Sequence, residues 1–363
     1  MFNSVYGNRR VLVLGHTGFK GSWMTYWLKC LGADVTGVAL SPTEKESHSI
    51  LLGQICRHEE CDICDLPQLQ AILDKYRPEI VFHLAAQALV RLSYKEPVKT
   101  FATNVMGTVN ILEAVRRTKG VRAVVAVSSD KCYENKEQIW GYREDDAMGG
   151  YDPYSASKGC MEIVVSSYRR SFFNQNDYGK SHDVLLASGR AGNVIGGGDW
   201  AEDRLIPDVM RAVRDGREVE IRNPWSVRPW QHVLEPLAGY LTLGQKLLEG
   251  DKNFASGWNF GPWGNEMITV GELVKIMAHE WSAIRFKNAC TDVTAPHEAG
   301  MLYLDCSKAN HLLKWHGVWT PQEAVRRTVQ WYRDYITTGH LNTEDDLKAY
   351  IADAEKENLE WTK

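Results

Sequence analysis

Two short stretches carry residue types that could move a proton to and from an alcohol. The first reads Val127-Ser128-Ser129-Asp130-Lys131-Cys132-Tyr133, the second Tyr154-Ser155-Ala156-Ser157-Lys158. Asp152-Pro153 precedes the second and apolar residues follow at helical spacing, so it reads as the start of a helix. On a helix Tyr154 and Lys158, four residues apart, project from one face. A phenol titrates near ~10 unaided and is a poor base at neutral pH. A neighbouring ammonium favours the phenolate, so the pair suits proton removal from a hydroxyl. Ser129, at the end of an apolar run, can hydrogen-bond the same oxygen. Tyr-x-x-x-Lys is common by chance, and Asp130 has an alternative reading as a helix or turn cap, so the surrounding elements decide.

Those elements begin with Arg10-Val11-Leu12-Val13-Leu14, a short apolar run typical of a buried parallel strand. It leads into Gly15-His16-Thr17-Gly18-Phe19-Lys20-Gly21, after which Trp23, Met24, Trp27, Leu28 and Leu31 mark a helix ended by Gly32. Strand, glycine-rich turn and helix form the context of a dinucleotide site, in which backbone amides and the helix N-terminus meet a pyrophosphate. The spacing is G-x-x-G-x-x-G, not G-x-G-x-x-G. A second strand over 34–40 ends Leu40-Ser41-Pro42, with neither acid nor arginine directly after it, so this position does not choose between NAD and NADP.

A third strand leads to Asp62-Ile63 and a helix covers 66–76. A fourth strand, 78–87, ends Leu84-Ala85-Ala86-Gln87, where the small alanines would let a cofactor pass close. One long helix is predicted over 98–118, carrying Asn104, with Val105, Val109, Leu112 and Val115 along one side. The fifth strand, 121–129, delivers Ser129-Asp130-Lys131, and 184–188 is one more. Strands alternating with helices predict an α/β fold, a doubly wound parallel sheet that binds ligands at the carboxyl ends of its strands. Beyond residue 187 glycine, arginine and tryptophan gather at 189–200, 228–232 and 258–262, suited to gripping phosphate and facing a base. The tail after Thr343 reads as an acidic helix.

The 363 residues, 44% hydrophobic and 24% charged, are ordinary for a globular protein of two lobes, and a net charge of -4 gives no pull toward nucleic acid or an anionic membrane. No apolar run approaches the ~20 residues of a membrane span, and the apolar stretch after Arg9-Arg10 is too short for a signal peptide, so a cytoplasmic protein is expected. Four possible zinc ligands lie between Cys56 and Cys64, but they fall within nine residues with no second cluster; no metal is expected.

The motifs together resemble the extended short-chain dehydrogenase/reductases, and within them the nucleotide-sugar 4,6-dehydratases. The resemblance rests on Gly15-x-x-Gly18-x-x-Gly21, Asp62-Ile63, Leu84-Ala85-Ala86, Asn104, Ser128-Ser129, Tyr154-x-x-x-Lys158, Arg190-x-x-Asn193, Arg228 and Asn259-x-Gly261-Pro262, in the family's order over most of residues 10–262. Members acting on dTDP- or GDP-sugars carry Asp-Glu where this chain has Asp130-Lys131. That departure, with Arg228-Pro229-Trp230-Gln231-His232, points to the branch acting on CDP-glucose.

The resemblance implies a Rossmann-type domain over 1–187, joined by parts of 228–262, and a smaller α/β lobe, 188–363, that holds the nucleotide sugar. It implies NAD held by Gly15, Thr17, Gly18, Phe19, Lys20, Gly21, Asp62, Ile63, Leu84, Ala85, Ala86, Asn104, Ser128, Tyr154 and Lys158. Gln87, Arg190, Asn193, Arg204, Arg222 and Arg228 would bind substrate. In the implied reaction Tyr154 takes the proton of the sugar 4-hydroxyl as hydride leaves C4, and Asp130 protonates the departing 6-hydroxyl. Lys131 either removes the C5 proton or stabilises the enolate as a cation, with the base supplied elsewhere. The hydride returns at C6. Dimers or tetramers, with the family dimer made by the helices carrying Asn104 and Tyr154, and deoxysugar supply for a surface polysaccharide such as O-antigen, are further implications. A 4-epimerase shares Tyr154 and Lys158 but needs no acid to expel water; a non-catalytic dinucleotide sensor needs neither residue.

Overall fold

The computed structural model describes residues 1–42, 44–221, 223–262, 268–288 and 301–363. Seven strands form one parallel sheet: β1 (Arg10–Leu14), β2 (Asp34–Ala39), β3 (Arg57–Glu60), β4 (Ile80–His83), β5 (Ala123–Val127), β6 (Leu185–Arg190) and β7 (Gly257–Asn259). Their order is β7-β6-β5-β4-β1-β2-β3. The order reverses between β1 and β4, opening the crevice in which doubly wound sheets bind ligands.

Alternate residues of the central strands feed two cores. Val11, Val13, Ile80, Phe82, Val125 and Ala187 face one side, where Trp23, Met24, Trp27 and Leu28 of α1 (Phe19–Cys30) pack. Leu12, Leu14, Val81, Val124, Ala126 and Leu186 face the other, against α2 (Leu66–Tyr76), α3 (Gly107–Arg117) and α4 (Pro153–Ser171). The bounds of α2 follow from its ends: Asp65 accepts from Gln68 N at 3.0 Å, and Arg77 closes the helix in the left-handed region at φ 45°.

The single helix predicted over 98–118 is instead broken. Pro97–Phe101 is α-helical, Ala102–Met106 forms a π turn, and α3 resumes at Gly107. The extra residue turns the buried stripe to Asn104, Thr108, Ile111, Leu112 and Val115, leaving Val105 and Val109 half-exposed. The apolar pattern runs on through the bulge, which is why it reads as one helix.

Beyond β6 the chain adds three two-stranded pieces. Val194–Ile195 pairs parallel with Gln231–His232, Val227–Arg228 antiparallel with Ile268–Thr269, and Val219–Ile221 parallel with Phe286–Asn288. Helices α5 (Leu234–Leu248), α6 (Pro321–Thr338) and α7 (Thr343–Lys356) join the first core. Glu235 of α5 is fully buried and accepts from Val318 N, Trp319 N and the Tyr350 hydroxyl at 2.8–2.9 Å, docking the C-terminal region onto α5.

Candidate active site

Three strand ends build the site's floor. Gly15 follows β1 at φ +85°, and a Cβ there would stand 2.6 Å from Ala85 N. A Cβ on Gly21 would fall inside the Gly15 carbonyl. The glycine loop is thus pressed against the exit of β4 on one side and the first turn of α1 on the other. Gly18 is the N-cap of α1, so the helix opens onto the loop with no side chain in the way. Thr17 Oγ1 donates to Leu40 O at 3.1 Å, tying the loop to the end of β2. In register β2 Ala39 stands beside Glu60 of β3, and the Ser41 hydroxyl donates to Glu60 Oε2 at 3.0 Å. A carboxylate of β3 therefore stands beside the end of β2, a neighbour that strand pairing reveals and linear order hides.

The Asp62, Asn104 and Gln87 side chains are bound to protein. Asp62 Oδ1 accepts from Cys64 N at 2.9 Å. Asn104 accepts from Gln87 N at 2.8 Å and donates to Gln87 O at 3.0 Å and Ser157 Oγ at 2.8 Å. Gln87 folds onto its own loop, donating to Leu89 O and Thr100 Oγ1 and accepting from Leu89 N. Asn104, placed by the π turn, fastens the exit of β4 to α4.

At the end of β5, Ser129 caps a short turn over Asp130–Cys132, and its hydroxyl donates to Asp130 Oδ1 at 2.9 Å. Asp130 is 2% exposed, and its second oxygen has no hydrogen-bond partner among the described residues. That oxygen lies against Gly192, where any Cβ would overlap the carboxylate. Ser128 is buried, its hydroxyl likewise unpartnered. The half-buried Lys131 ammonium makes no hydrogen bond or ion pair among the described residues.

Asp152 starts α4, accepting from Ser155 N at 2.9 Å and Ser155 Oγ at 2.6 Å, with Pro153 in the first turn. This holds the buried Tyr154 beside Ser129. Burial pushes the Tyr154 phenol up to about 12; the Ser129 hydrogen bond and the Arg204 guanidinium resist, while the Asp130 charge adds to the rise. Lys158 follows Tyr154 by four residues on the same helix and is buried with it. Its own pKa is lowered to about 8 by burial, and its ammonium contacts Met161 Sδ at 3.7 Å. Two neighbours on one helix face are each driven toward the neutral form by the same loss of water.

Two further cations face the site. Arg204 pairs with Asp199 at 2.7 Å and stands within electrostatic reach of Tyr154. Lys20, half-buried in the first turn of α1, is lowered to about 7 by burial, with Arg204 and Lys158 adding to the fall and Asp130 opposing it. A cation in the first turn of a helix opposes the macrodipole, a local misfit that marks Lys20 in the sequence.

The structure puts Arg190 to a different use from the substrate grip expected of it. It ends β6 pointing inward, pairs with Glu162 Oε2 at 2.9 Å, and donates to the Tyr133 hydroxyl at 2.6 Å and Glu144 O at 2.9 Å. It is 5% exposed, so no face is left for a diphosphate. Glu162, one turn beyond Lys158 on α4, went unread in the sequence. Asn193 (φ 47°) and Arg228 are half-buried on the adjoining segments; Arg222 lies outside the described residues.

A family model described as NAD dependent epimerase/dehydratase matches residues 11–255. The chain belongs to the NAD dependent epimerase/dehydratase family. This epimerase/dehydratase is 51% identical over 330 residues to the CDP-glucose 4,6-dehydratase of Salmonella typhimurium, covering 90% of this chain and 91% of that one. It is 26% identical over 294 residues to dTDP-glucose 4,6-dehydratase 1 of Escherichia coli, covering 76% and 78%. Among solved structures, a UDP-glucose 4-epimerase of Thermotoga maritima with UDP-glucose matches at TM-score 0.75 and 24% identity, covering 90% and 99%. A dTDP-glucose 4,6-dehydratase of Streptomyces venezuelae with NAD and TYD bound matches at 0.74 and 24%, covering 90% and 97%. Both show the Rossmann-type fold. NAD is the cofactor of this family member, and the residues fit it: Gly15 and Gly21 leave a cradle that any Cβ would fill, at the open N-terminus of α1.

Proposed function

We propose that this chain is a CDP-glucose 4,6-dehydratase, forming CDP-4-keto-6-deoxy-D-glucose. The observation that carries the reading is the Asp130 carboxyl, buried beside Ser129 and Tyr154 with one oxygen unpartnered. Reversing a hydroxyl at C4 needs no such acid; expelling water from C6 does. The 51% identity to a dehydratase named for CDP-glucose supports the choice of nucleotide.

NAD, held at the Gly15–Gly21 cradle and the N-terminus of α1, would supply reversible hydride storage between sugar C4 and C6. Tyr154 removes the 4-hydroxyl proton, its phenolate steadied by Ser129 and Arg204. Asp130, carrying a proton, gives it to the departing 6-hydroxyl, which leaves as water. Lys131, as the neutral amine, removes the C5 proton and returns it to C5 when the hydride reaches C6; or, as a cation, it stabilises the enolate while another base takes and returns that proton. Lys20 and Lys158 hold positive charge beside the cofactor, and Arg204, Asn193, Arg222 and Arg228 serve the nucleotide diphosphate. In this reading residues 1–187, with parts of 228–262, hold NAD, and 188–363 mainly hold the nucleotide sugar.

We also propose a homodimer or larger assembly through the helices bearing Asn104 and Tyr154. Their outer faces support it, with Val98, Met106 and Ile163 exposed at 82%, 53% and 57%. No helix among the described residues is long and apolar enough to cross a membrane; a cytoplasmic enzyme is the proposal.

Separate incubation with CDP-, dTDP-, UDP- and GDP-glucose tests the function by mass spectrometry. A product one water lighter from CDP-glucose alone is expected. Unchanged mass with a new 4-epimer by NMR would replace the reading with epimerase.

A further inference from the structure

Tyr154, Lys158 and Glu162 succeed one another at four-residue steps along one face of α4. Lys158 is 4% exposed, and its sole hydrogen-bonding contact among the described residues is a thioether, so no anion touches the buried ammonium. Glu162, also 4% exposed, accepts from Arg190 Nη2 at 2.9 Å and Ser188 Oγ at 2.8 Å through Oε2, leaving Oε1 without a hydrogen bond. Arg190 is joined through the Tyr133 hydroxyl at 2.6 Å to Asn259 Oδ1, 2.8 Å further on. One ion pair therefore braces both halves of the site: α4 below Lys158, and the segment that continues from Asp130-Lys131.

We infer that Glu162, held by Arg190, is a positioning residue that keeps Lys158 cationic and fixes the Asp130–Tyr133 segment against α4. This rests on the reading of Tyr154 and Lys158 as a proton-handling pair.

The groups around Lys158 leave Glu162 as its anion. From the turn after β5, Cys132 would support the ammonium as a thiolate, but burial pushes that thiol far up and it stays neutral. From β4, His83 is held neutral with its pKa near 3, and from α1 the Lys20 cation opposes Lys158. On α4 itself Tyr154 is protonated at neutral pH. Arg190 and Arg169 both draw on the Glu162 charge, so this carboxylate stands among three cations. Without it, burial would drive Lys158 further toward the neutral amine.

The test is competitive acetylation of the full-length chain from neutral to alkaline pH, read at the Lys158 peptide by mass spectrometry. This readout needs no substrate, so it stands or falls separately from the dehydratase reading. Glu162→Gln, which keeps the shape and loses the charge, is expected to lower the Lys158 midpoint by about one unit, tenfold in proton affinity. Should that variant not fold, Glu162→Met/Arg190→Met decides by the same readout. Replacing both members of a buried pair by apolar groups is commonly tolerated, and of the two lost charges only Glu162 lies on the helix face of Lys158, so the same downward shift is expected. A folded variant with an unmoved Lys158 midpoint overturns the inference.

Discussion

Burial holds the Tyr154 phenol near 12, and the Ser129 hydrogen bond is the largest influence drawing it back. Tyr154→Phe should therefore cut product formation by roughly 10²–10⁴-fold, the range expected for a positioned acid–base group. Because the ring is retained, the melting temperature should hardly move; a large fall would mean the hydroxyl is structural. Lys20 makes a prediction of the opposite kind. Lys20→Met removes a cation from the first turn of a helix and should stabilise the protein by about 0.3–1 kcal/mol while turnover falls. A calorimetric scan beside a rate measurement checks both, and unchanged turnover would place Lys20 outside the chemistry. The types and order of Ser129, Asp130, Tyr154 and Lys158 were legible along the chain. What was not legible is that Arg204, fifty residues further along the chain, comes within electrostatic reach of Tyr154.

Elements set those distances, and glycine controls the closest of them. Gly192 follows β6 and lies against the unpartnered oxygen of Asp130. Gly192→Ala should displace the carboxylate and stop dehydration, yet leave NAD affinity, measured by fluorescence titration, close to wild type. A loss of both would show that the substitution disturbs the whole strand end. The helix over 66–76 could be read to the residue because its cap and its stop are local. The helix predicted over 98–118 could not, since a π turn conserves apolar character while rotating the face that carries it. Glu60 beside Ser41, and Arg190 against Glu162, are products of strand register and long-range packing, which no spacing along the chain encodes.

For the molecule as a whole, pH acts through buried side chains. His48, His83 and His232 are lowered to about 3 and His16 to about 4, chiefly by burial. Each lends stability that is present above its unfolded value of 6.5 and is lost as pH falls below it, at up to about 1.4 kcal/mol per unit. Glu235 and Asp346, raised to about 7, act with the opposite sign, removing stability as pH rises from their unfolded values of 4.5 and 3.8. Four groups outweigh two, so the melting temperature should decline from pH 6.5 downward; a flat profile there would contradict the burial of these rings. Glu235→Ala would leave three donors unmet and should cost about 3 kcal/mol or more, read by denaturant titration. His48 has a wider reach than its charge. Its imidazole bonds Ser22 of α1 and Thr343 of α7, each at 2.8 Å, and stacks on Trp23 at 4.8 Å. The helix that opens on the glycine cradle and the last long helix of the chain thus share one ring. Occupancy at the glycine cradle and attachment of α7 become a single thermodynamic transaction: NAD should slow protease clipping at α7, and Trp23 fluorescence should register both events.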